Sequence, residues 1–271
     1  MIARTPTVNG LEAARARCAA YCLIAHGFRY PDDAWLSSLV DRARWDGWPE
    51  RFAQLHADVY SELSSLRAVV WDLAPPTAST LLQVQFAGLF GHAVRGACPP
   101  YELEFGKSEV IQRASELADI CGFYAAFGME LTGGISERAD HVSVEAEFLA
   151  ALCGKEACGI EGEHSELIEA ACGAQRQFLN SHLGQWLPAF AQRVTDSEPC
   201  DFYTRLSGFA TAFVRYECER AGVPLGSPYL DLRPSDPAQE ASQSCGLPGE
   251  RCVPGVPQLT QLSVHAEHST R

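Results

Sequence analysis

Apolar residues recur every three or four positions through most of residues 11–222, which is the spacing of one face of an α-helix. Prolines and glycines punctuate the pattern, and neither the strict alternation of a strand nor a fixed-period repeat is present. The sequence therefore predicts an all-α fold, a single globular bundle of roughly eight to ten helices. The predicted helices cover residues 11–27, 32–44, 49–73, 77–90, 108–127, 140–153 and 163–183, a short helix beginning at 186, and 202–222.

The character of the chain changes near residue 224, where Pro, Ser, Gly and Gln replace the regular apolar spacing. Such a composition is typical of a segment that cannot bury enough apolar surface to fold by itself. We therefore predict a helical domain over residues 1–224 and a flexible tail over 225–271. Two cysteines and two histidines of the tail could be combined as a metal site, but their spacing matches no zinc pattern, and no metal is predicted. These four residues are Cys245, Cys252, His265 and His268.

The charge balance narrows the class of partner. The chain has 21 Lys and Arg against 34 Asp and Glu, a formal net charge of −13. Nonspecific nucleic-acid binding needs cations that neutralise phosphates, so a nucleic-acid partner is not expected. A basic protein or peptide suits this charge better, because opposite charge steers encounter. An acidic surface that only keeps the protein in solution is the plain alternative.

The cysteines and the N-terminus bear on the compartment. The chain has 11 cysteines, an odd number that argues against a disulfide scaffold. Neither a signal-peptide pattern nor a run of apolar residues long enough to span a membrane is present, so we expect a cytoplasmic protein without stable membrane association. Six cysteines lie in apolar helical patterns and are expected to be buried: Cys18, Cys22, Cys121, Cys153, Cys172 and Cys218.

An acidic, aromatic loop separates two predicted helices at residues 98–106. Pro99 and Pro100 fix an extended backbone, so they present Tyr101, Glu102 and Phe105 in a defined order. An aromatic ring beside carboxylates favours binding of a basic, partly apolar peptide. The alternative is a rigid connection whose tyrosine packs on the core.

The helix predicted from residue 140 carries a carboxylate on its apolar face. Glu145 shares that face with Val142, and a buried carboxylate needs a partner. His141, four residues earlier, is the local candidate, and an arginine on a neighbouring helix is the other. Asp140 is expected to point away from the core and to cap the helix N-terminus. His141 and Glu145 could also be half of a metal site, but no third ligand is evident.

The motifs of common catalytic sites are missing. The sequence contains no GxxxxGK[ST], GxSxG, HExxH or GxGxxG pattern. We therefore predict a binding protein with no catalytic residues and no cofactor of its own. A nucleotide-handling enzyme that uses His141 and Glu145 is the alternative from another class, and a helical interaction protein with an unrelated partner is the third.

Three motifs in this order resemble those of a known family: Leu89-Phe90-Gly91, Pro99-Pro100-Tyr101-Glu102, and Asp140-His141-Val142-x-x-Glu145-x-Glu147-Phe148-Leu149. Together they closely resemble the TorD/DmsD/NarJ family of cytoplasmic maturation chaperones for molybdenum enzymes. The stretches at 98–102, 117–128 and 182–190 resemble the branch that serves type II enzymes of the DMSO reductase family. The resemblance covers roughly residues 11–222.

The resemblance implies a non-catalytic role. Such a chaperone binds the apo catalytic subunit, often through its twin-arginine signal peptide, and holds it for insertion of the molybdenum cofactor, folding and assembly before export. The resemblance leaves open whether the protein is a monomer or a dimer. It implies partner binding by Pro100, Tyr101, Glu102, Asp140, His141 and Glu145. Phe90 and Phe148 match apolar motif positions and are expected either to line the same groove or to pack in the core.

Overall fold

Helices dominate the computed structural model, which describes residues 8–45, 47–52, 55–73, 77–91, 96–106, 113–131, 137–197, 201–234 and 262–264. The all-α prediction is confirmed. The described part contains nine helices of at least eight residues and two shorter ones. They are α1 (Val8–Gly27), α2 (Asp33–Val40), α3 (Arg42–Trp45), α4 (Trp48–Phe52), α5 (Ala57–Asp72), α6 (Thr77–Phe90), α7 (Arg113–Ala126), α8 (Val142–Glu161), α9 (Ser165–Ser181), α10 (Leu183–Asp196) and α11 (Asp201–Ala221). No helix among the described residues is long and apolar enough to cross a membrane.

Two predicted helices are each divided in the structure. The helix predicted over 32–44 is interrupted at Asp41, which has extended backbone and accepts a hydrogen bond from the backbone N–H of Ala43. The helix predicted over 49–73 stops at Phe52 and resumes after His56, whose Nδ1 accepts from the N–H of Asp58. In both places a side chain accepts the hydrogen bond of a backbone N–H two residues later. The spacing of apolar residues does not reveal such a break.

The helix predicted over 140–153 begins and ends later than expected. It is α8, which runs from Val142 to Glu161, so Gly154 and Gly159 lie inside it. Gly159 is required there because a Cβ atom would lie 2.9 Å from the side chain of Ile168 on α9. The glycine thus marks a close approach of two helices rather than a helix end.

A small strand pair was not predicted. Strand β1 (Met129–Leu131) pairs antiparallel with β2 (Leu262–Val264), in the register Met129 with Val264. Strands of three residues are too short to show a period-two pattern, and their partners are far apart in sequence. The pair leaves the fold class unchanged.

The core is formed by aromatic and aliphatic side chains from most of the helices. Helix α1 packs along α8, while α11 packs on α5 and α10. Edge-to-face ring pairs connect these elements, among them Tyr21 with Phe213 and Phe28 with Phe190. Such pairs add about 1 kcal/mol each beyond the burial of their area.

A buried ionic network ties α1 to α8, α9 and α11. Arg17 donates hydrogen bonds to Glu156 (2.7 Å) and Gln175 (2.9 Å) and lies 3.8 Å from Glu217. Arg220 donates to Glu217 at 2.8 Å and to Gln175 at 2.8 Å. The two arginines balance the two glutamates, as buried charges require.

The prediction for the cysteines is only partly right. Cys153 and Cys218 are buried as expected, but Cys22 and Cys121 are exposed, while Cys18 and Cys172 are half-buried. The apolar periodicity includes positions at the border of a helix face, and a small thiol is tolerated there. All cysteines in the described part of the chain are free thiols.

The start of the predicted tail lies against the helical domain. Residues 225–234 contain no helix and turn at residues 228–229, and the backbone N–H of Gly226 donates to the carbonyl of Gly184 at 2.9 Å. Leu232 forms an antiparallel bridge with Phe105. The division at residue 224 stays a prediction, and the candidate metal-ligating residues of the tail lie outside the described residues.

Candidate partner-binding site

The 98–106 loop is anchored at its beginning to α6. The backbone N–H of Cys98 donates to the carbonyl of Leu89 at 2.8 Å, and Cys98 Sγ lies 3.1 Å from Ser197 Oγ. Pro99 and Pro100 are buried, and the Pro100 carbonyl accepts from the backbone N–H of Val142, so the loop passes from α6 to the start of α8.

The loop then pairs with the residues that precede α8. Tyr101 and His141 form an antiparallel bridge. The backbone N–H of Val142 donates to Pro100 at 2.9 Å, and that of Glu102 donates to the carbonyl of Asp140 at 2.9 Å. A 3₁₀ turn (Glu102–Glu104) follows. The two stretches that stand apart in the sequence therefore meet as one unit.

Asp140 is an internal ion-pair partner and not the helix cap. Its side chain is fully buried, and Arg138 donates to its two oxygens at 2.6 and 2.9 Å. The backbone N–H of Leu103 donates to the same carboxylate at 3.1 Å. The prediction that Asp140 points away from the core is wrong, because the 98–106 loop covers it. Asp140 fastens the 3₁₀ turn to the start of α8.

His141 is the residue that caps α8. Its Nδ1 accepts a hydrogen bond from the backbone N–H of Ser143 at 3.1 Å and lies 2.6 Å from Ser143 Oγ. Burial lowers the pKa of His141, so the imidazole is neutral at pH 7. His141, one of the two candidate partners of Glu145, is therefore not its partner, since the cap already uses Nδ1. Its ring packs edge-to-face on Tyr101, with 5.0 Å between centroids.

Glu145 is buried on the inner face of α8, as predicted, but its partner is a tryptophan. The indole N–H of Trp186 on α10 donates to Glu145 Oε2 at 3.0 Å. Burial, and then the nearby Glu102 carboxylate, raise the pKa of Glu145 well above its usual range. A neutral carboxyl group needs no cation, which explains why neither His141 nor an arginine pairs with it.

Glu102 joins the loop to the junction between α9 and α10. Both of its carboxylate oxygens lie 3.2 Å from Nδ1 of His182, the residue between these helices. His182 Nε2 in turn lies 3.5 Å from the exposed Asp119 carboxylate. Glu102 thus has a buried acid on one side and a histidine on the other.

The outer side of the unit is formed by Tyr101 and the residues before Asp140. The Tyr101 hydroxyl donates to Glu137 at 2.9 Å, and the Arg138 guanidinium lies over the Tyr101 ring at 4.5 Å. Burial and the Glu137 carboxylate raise the pKa of Tyr101, which keeps the hydroxyl protonated. The Arg138 side chain is 44% exposed. This side offers an aromatic ring, a cation and carboxylates to a partner.

Comparison with known proteins identifies the family. The sequence model of the nitrate reductase delta subunit family matches residues 53–192, which include the whole unit described above. The selenate reductase assembly chaperone protein of Thauera selenatis is 38% identical over 191 residues, covering 69% of this chain and 82% of that relative. The chain belongs to the nitrate reductase delta subunit family, also known as the TorD/NarJ family.

Further members of the family share less of the sequence. The chlorate reductase assembly chaperone protein of Ideonella dechloratans is 27% identical over 191 residues, covering 69% of this chain and 81% of the relative. The chaperone protein TorD of Vibrio cholerae is 28% identical over 138 residues, covering 50% of this chain. The chain thus spans 60% of the length of that TorD protein.

In this TorD/NarJ family member, most of the sequence-predicted site residues are buried. Pro100, Tyr101, Glu102, Asp140, His141 and Glu145 are brought together in one unit, but Asp140, His141 and Glu145 are at most 1% exposed. The three buried residues support the surface from below, whereas Tyr101 and Glu102 are partly exposed at the surface. The assignment of the set to partner binding stays a prediction.

Phe90 and Phe148 are core residues in this family member. Phe90 packs on Phe190 and Tyr203, and Phe148 packs on Tyr124 and Phe178. Their burial agrees with the second of the two alternatives, packing in the core, and their assignment to partner binding stays a prediction. In this structure the apolar residues at these two motif positions contribute to core packing.

The sequence interpretation missed four residues of the unit: Glu137, Arg138, His182 and Trp186. Arg138 could have been predicted from the sequence, because it lies two residues before Asp140 and beside the motif. His182 and Trp186 lie in the 182–190 stretch that was noted only for its family resemblance. The described residues contain no group of three or more His, Cys, Asp or Glu side chains that could hold a metal ion.

A separate cavity lies on the opposite side of α1 from the ionic network. Its volume is about 300 Å³, and none of the sequence-predicted site residues lines it. The lining is mainly apolar and aromatic: Ala19, Cys22, Leu23, His26, Ser38, Leu39, Trp45, Trp48 and Arg51.

Proposed function

We propose that this protein is a cytoplasmic, system-specific chaperone for the apo catalytic subunit of a type II molybdoenzyme of the DMSO reductase family. It would hold that subunit during insertion of the molybdenum cofactor, folding and assembly, before export. The observation that carries the proposal is the 38% identity to a selenate reductase assembly chaperone over 82% of its length. Relatives named for chlorate and perchlorate reductase assembly point to the same branch.

The names of the family members indicate chaperones rather than catalysts. The arrangement of His141 and Glu145 agrees with that reading, because each is committed to a structural partner. His141 caps α8 through Ser143, and Glu145 accepts from Trp186. We therefore favour a binding function over a nucleotide-handling reaction at these residues.

We propose that the client binds at the outer side of the unit, around Tyr101 and Glu102. Tyr101 presents its ring, while Glu102 and Glu137 supply carboxylates and Arg138 a partly exposed guanidinium. An aromatic ring flanked by carboxylates suits an arginine-bearing, partly apolar segment such as a twin-arginine signal peptide. Asp140, His141 and Glu145 would act indirectly by holding the 98–106 loop in place.

The molybdenum content of the client tests the function. In a host strain that lacks this protein, we expect the catalytic subunit of the client reductase to accumulate with little molybdenum. Expression of the wild-type chain should restore the metal content, measured by elemental analysis of the purified subunit. Equal molybdenum content with and without this protein would contradict the proposal.

A further inference from the structure

A part of the chain outside the family match returns to the candidate site. Residues 223–234 follow α11 and cross the start of α10, and we call them the return segment. Gln185 donates to the carbonyl of Pro224 at 2.9 Å, and Gly226 N–H donates to Gly184 at 2.9 Å. These contacts hold the first half of the return segment against α10.

The second half of the return segment pairs with the 3₁₀ turn of the candidate site like an added strand. The backbone N–H of Gly106 donates to the carbonyl of Asp231 at 2.9 Å, and that of Arg233 donates to Glu104 at 2.8 Å. Phe105 and Leu232 form the bridge between these two hydrogen bonds. The edge at 104–106 therefore binds an extended backbone in a defined register.

The side chain of Arg233 is held by a site with two kinds of acceptor. Its Nε donates to the carbonyl of Phe105 at 2.7 Å. Its two terminal nitrogens lie 2.6 and 3.4 Å from the oxygens of Glu116 on α7. Arg233 is only 8% exposed. A guanidinium supplies donors in a fixed planar fork, so this geometry selects arginine over lysine.

The arginine site is continuous with the proposed client surface. Glu104, whose carbonyl accepts from Arg233, also has its carboxylate 3.5 Å from Arg138. Phe105, whose carbonyl accepts from the Arg233 side chain, packs on Trp186 at 5.5 Å between centroids, and Trp186 holds Glu145. An occupant of the arginine site thus contacts the turn that carries the client surface.

We propose that the 104–106 edge and Glu116 form a binding site for an arginine in an extended segment of the client, and that the return segment occupies it as an internal competitor. The identity of the client rests on the proposed function. The proposal that the return segment can be displaced from the arginine site does not depend on it. The return segment contains no helix and turns at residues 228–229, and apart from the buried Arg233 its residues are half-buried or exposed. It meets the 104–106 edge through two backbone hydrogen bonds, the Phe105–Leu232 bridge and the Arg233 side chain. Such a segment opens without unfolding the helical domain. The client would replace Arg233 by an arginine of its own.

A peptide competition on the full-length protein tests the competitor. The probe is a fluorescein-labelled peptide with the protein's own residues 229–236, added in trans. In the Arg233→Glu variant, the new carboxylate faces Glu116, and like-charge repulsion expels the return segment. We expect this variant to bind the peptide at least about tenfold more tightly than the wild type. A tenfold lower Kd corresponds to about 1.4 kcal/mol of binding free energy. The same peptide with lysine in place of arginine should bind at least about tenfold more weakly than the arginine peptide.

Two further variants decide between a competitor and a permanent part of the fold. Gly226→Ala leaves the arginine site intact, but its Cβ would lie 1.9 Å from the carbonyl oxygen of Gln185, so it should loosen the return segment and also raise peptide affinity. The double variant Glu116→Gln, Arg233→Glu should lose the gain in peptide affinity, because the peptide's arginine no longer meets the Glu116 carboxylate. A folded Arg233→Glu protein that binds the peptide no better than wild type would overturn the proposal. Failure of Arg233→Glu to fold would overturn it as well, since a displaceable segment is not needed for folding.

The same variants separate this inference from the proposed function. If both hold, the Arg233→Glu variant captures more of a molybdoenzyme catalytic subunit than the wild type does. A gain in peptide affinity without capture of such a subunit by either protein supports the arginine site and contradicts the proposed client. Capture by the wild type without any gain in peptide affinity supports the client and contradicts the internal competitor.

Discussion

At the scale of single residues, the candidate site is organised by buried ionisable groups, each with a different kind of partner. Asp140 is paired with Arg138, His141 caps α8 through its Nδ1, and Glu145 accepts a hydrogen bond from Trp186. These partners are needed because burial penalises charge unless a contact compensates it. The three residues together fasten the 98–106 loop to α8.

Glu145 should make the stability of the protein fall as pH rises. Its folded pKa lies above the ordinary 4.5, so the folded state holds a proton that the unfolded state releases. Between these two pKa values, stability is lost with increasing pH by up to about 1.4 kcal/mol per pH unit. Glu145→Gln does not titrate, so denaturant unfolding at about pH 5.5 and about pH 8 should show less loss for the variant than for the wild type.

Glu161→Gln is the control for this comparison, since the Glu161 side chain is 50% exposed. It should keep the wild-type pH dependence. An identical pH dependence in the wild type and Glu145→Gln would show that Glu145 is ionised in the folded protein.

At the scale of elements, the buried ionic network sets how α1 lies on α8, α9 and α11. The sequence predicted α1, the α6 boundaries and α11 well, because amphipathic spacing and the glycine after α6 are local signals. It did not predict the roles of Asp140 and Glu145, because their partners are supplied by other elements. Leu103 lies 37 residues from Asp140, and Trp186 lies 41 residues from Glu145. No local pattern contains such contacts.

Removing the central cation of the network should destabilise the helical domain strongly. Arg17→Met leaves Glu156 and Glu217 buried with less positive charge, and we expect a loss of about 3–5 kcal/mol in the free energy of unfolding. Arg15→Met is the matched control two residues away. The Arg15 side chain is 47% exposed, so solvent screens its ion pairs, and the variant should keep a free energy of unfolding close to that of the wild type. Equal losses in the two variants, measured by urea unfolding, would contradict a structural role of the network.

At the scale of the whole molecule, we propose that this acidic protein binds a basic segment of its client. The net charge of −13 steers a basic partner towards the protein. The 98–106 loop, the start of α8 and the α9–α10 junction present the proposed client surface, and the return segment lies at its edge. The all-α fold was predictable from periodicity, whereas the docking of the return segment was not, because its hydrogen bonds and the Arg233 contacts join residues far apart in the sequence.

The identity of the bound client, with and without Tyr101, tests the central claim most directly. The tagged full-length protein would be purified from its native host under conditions that induce molybdoenzymes, and the associated proteins identified by mass spectrometry. We expect the wild type and the control Tyr60→Ala, whose tyrosine is exposed on α5, to retain a molybdoenzyme catalytic subunit. Tyr101→Ala should lose most of it while still folding, which its circular dichroism spectrum and a cooperative melting transition would show. A wild-type protein that retains no such subunit would contradict the chaperone function, and equal retention by Tyr101→Ala would contradict the site.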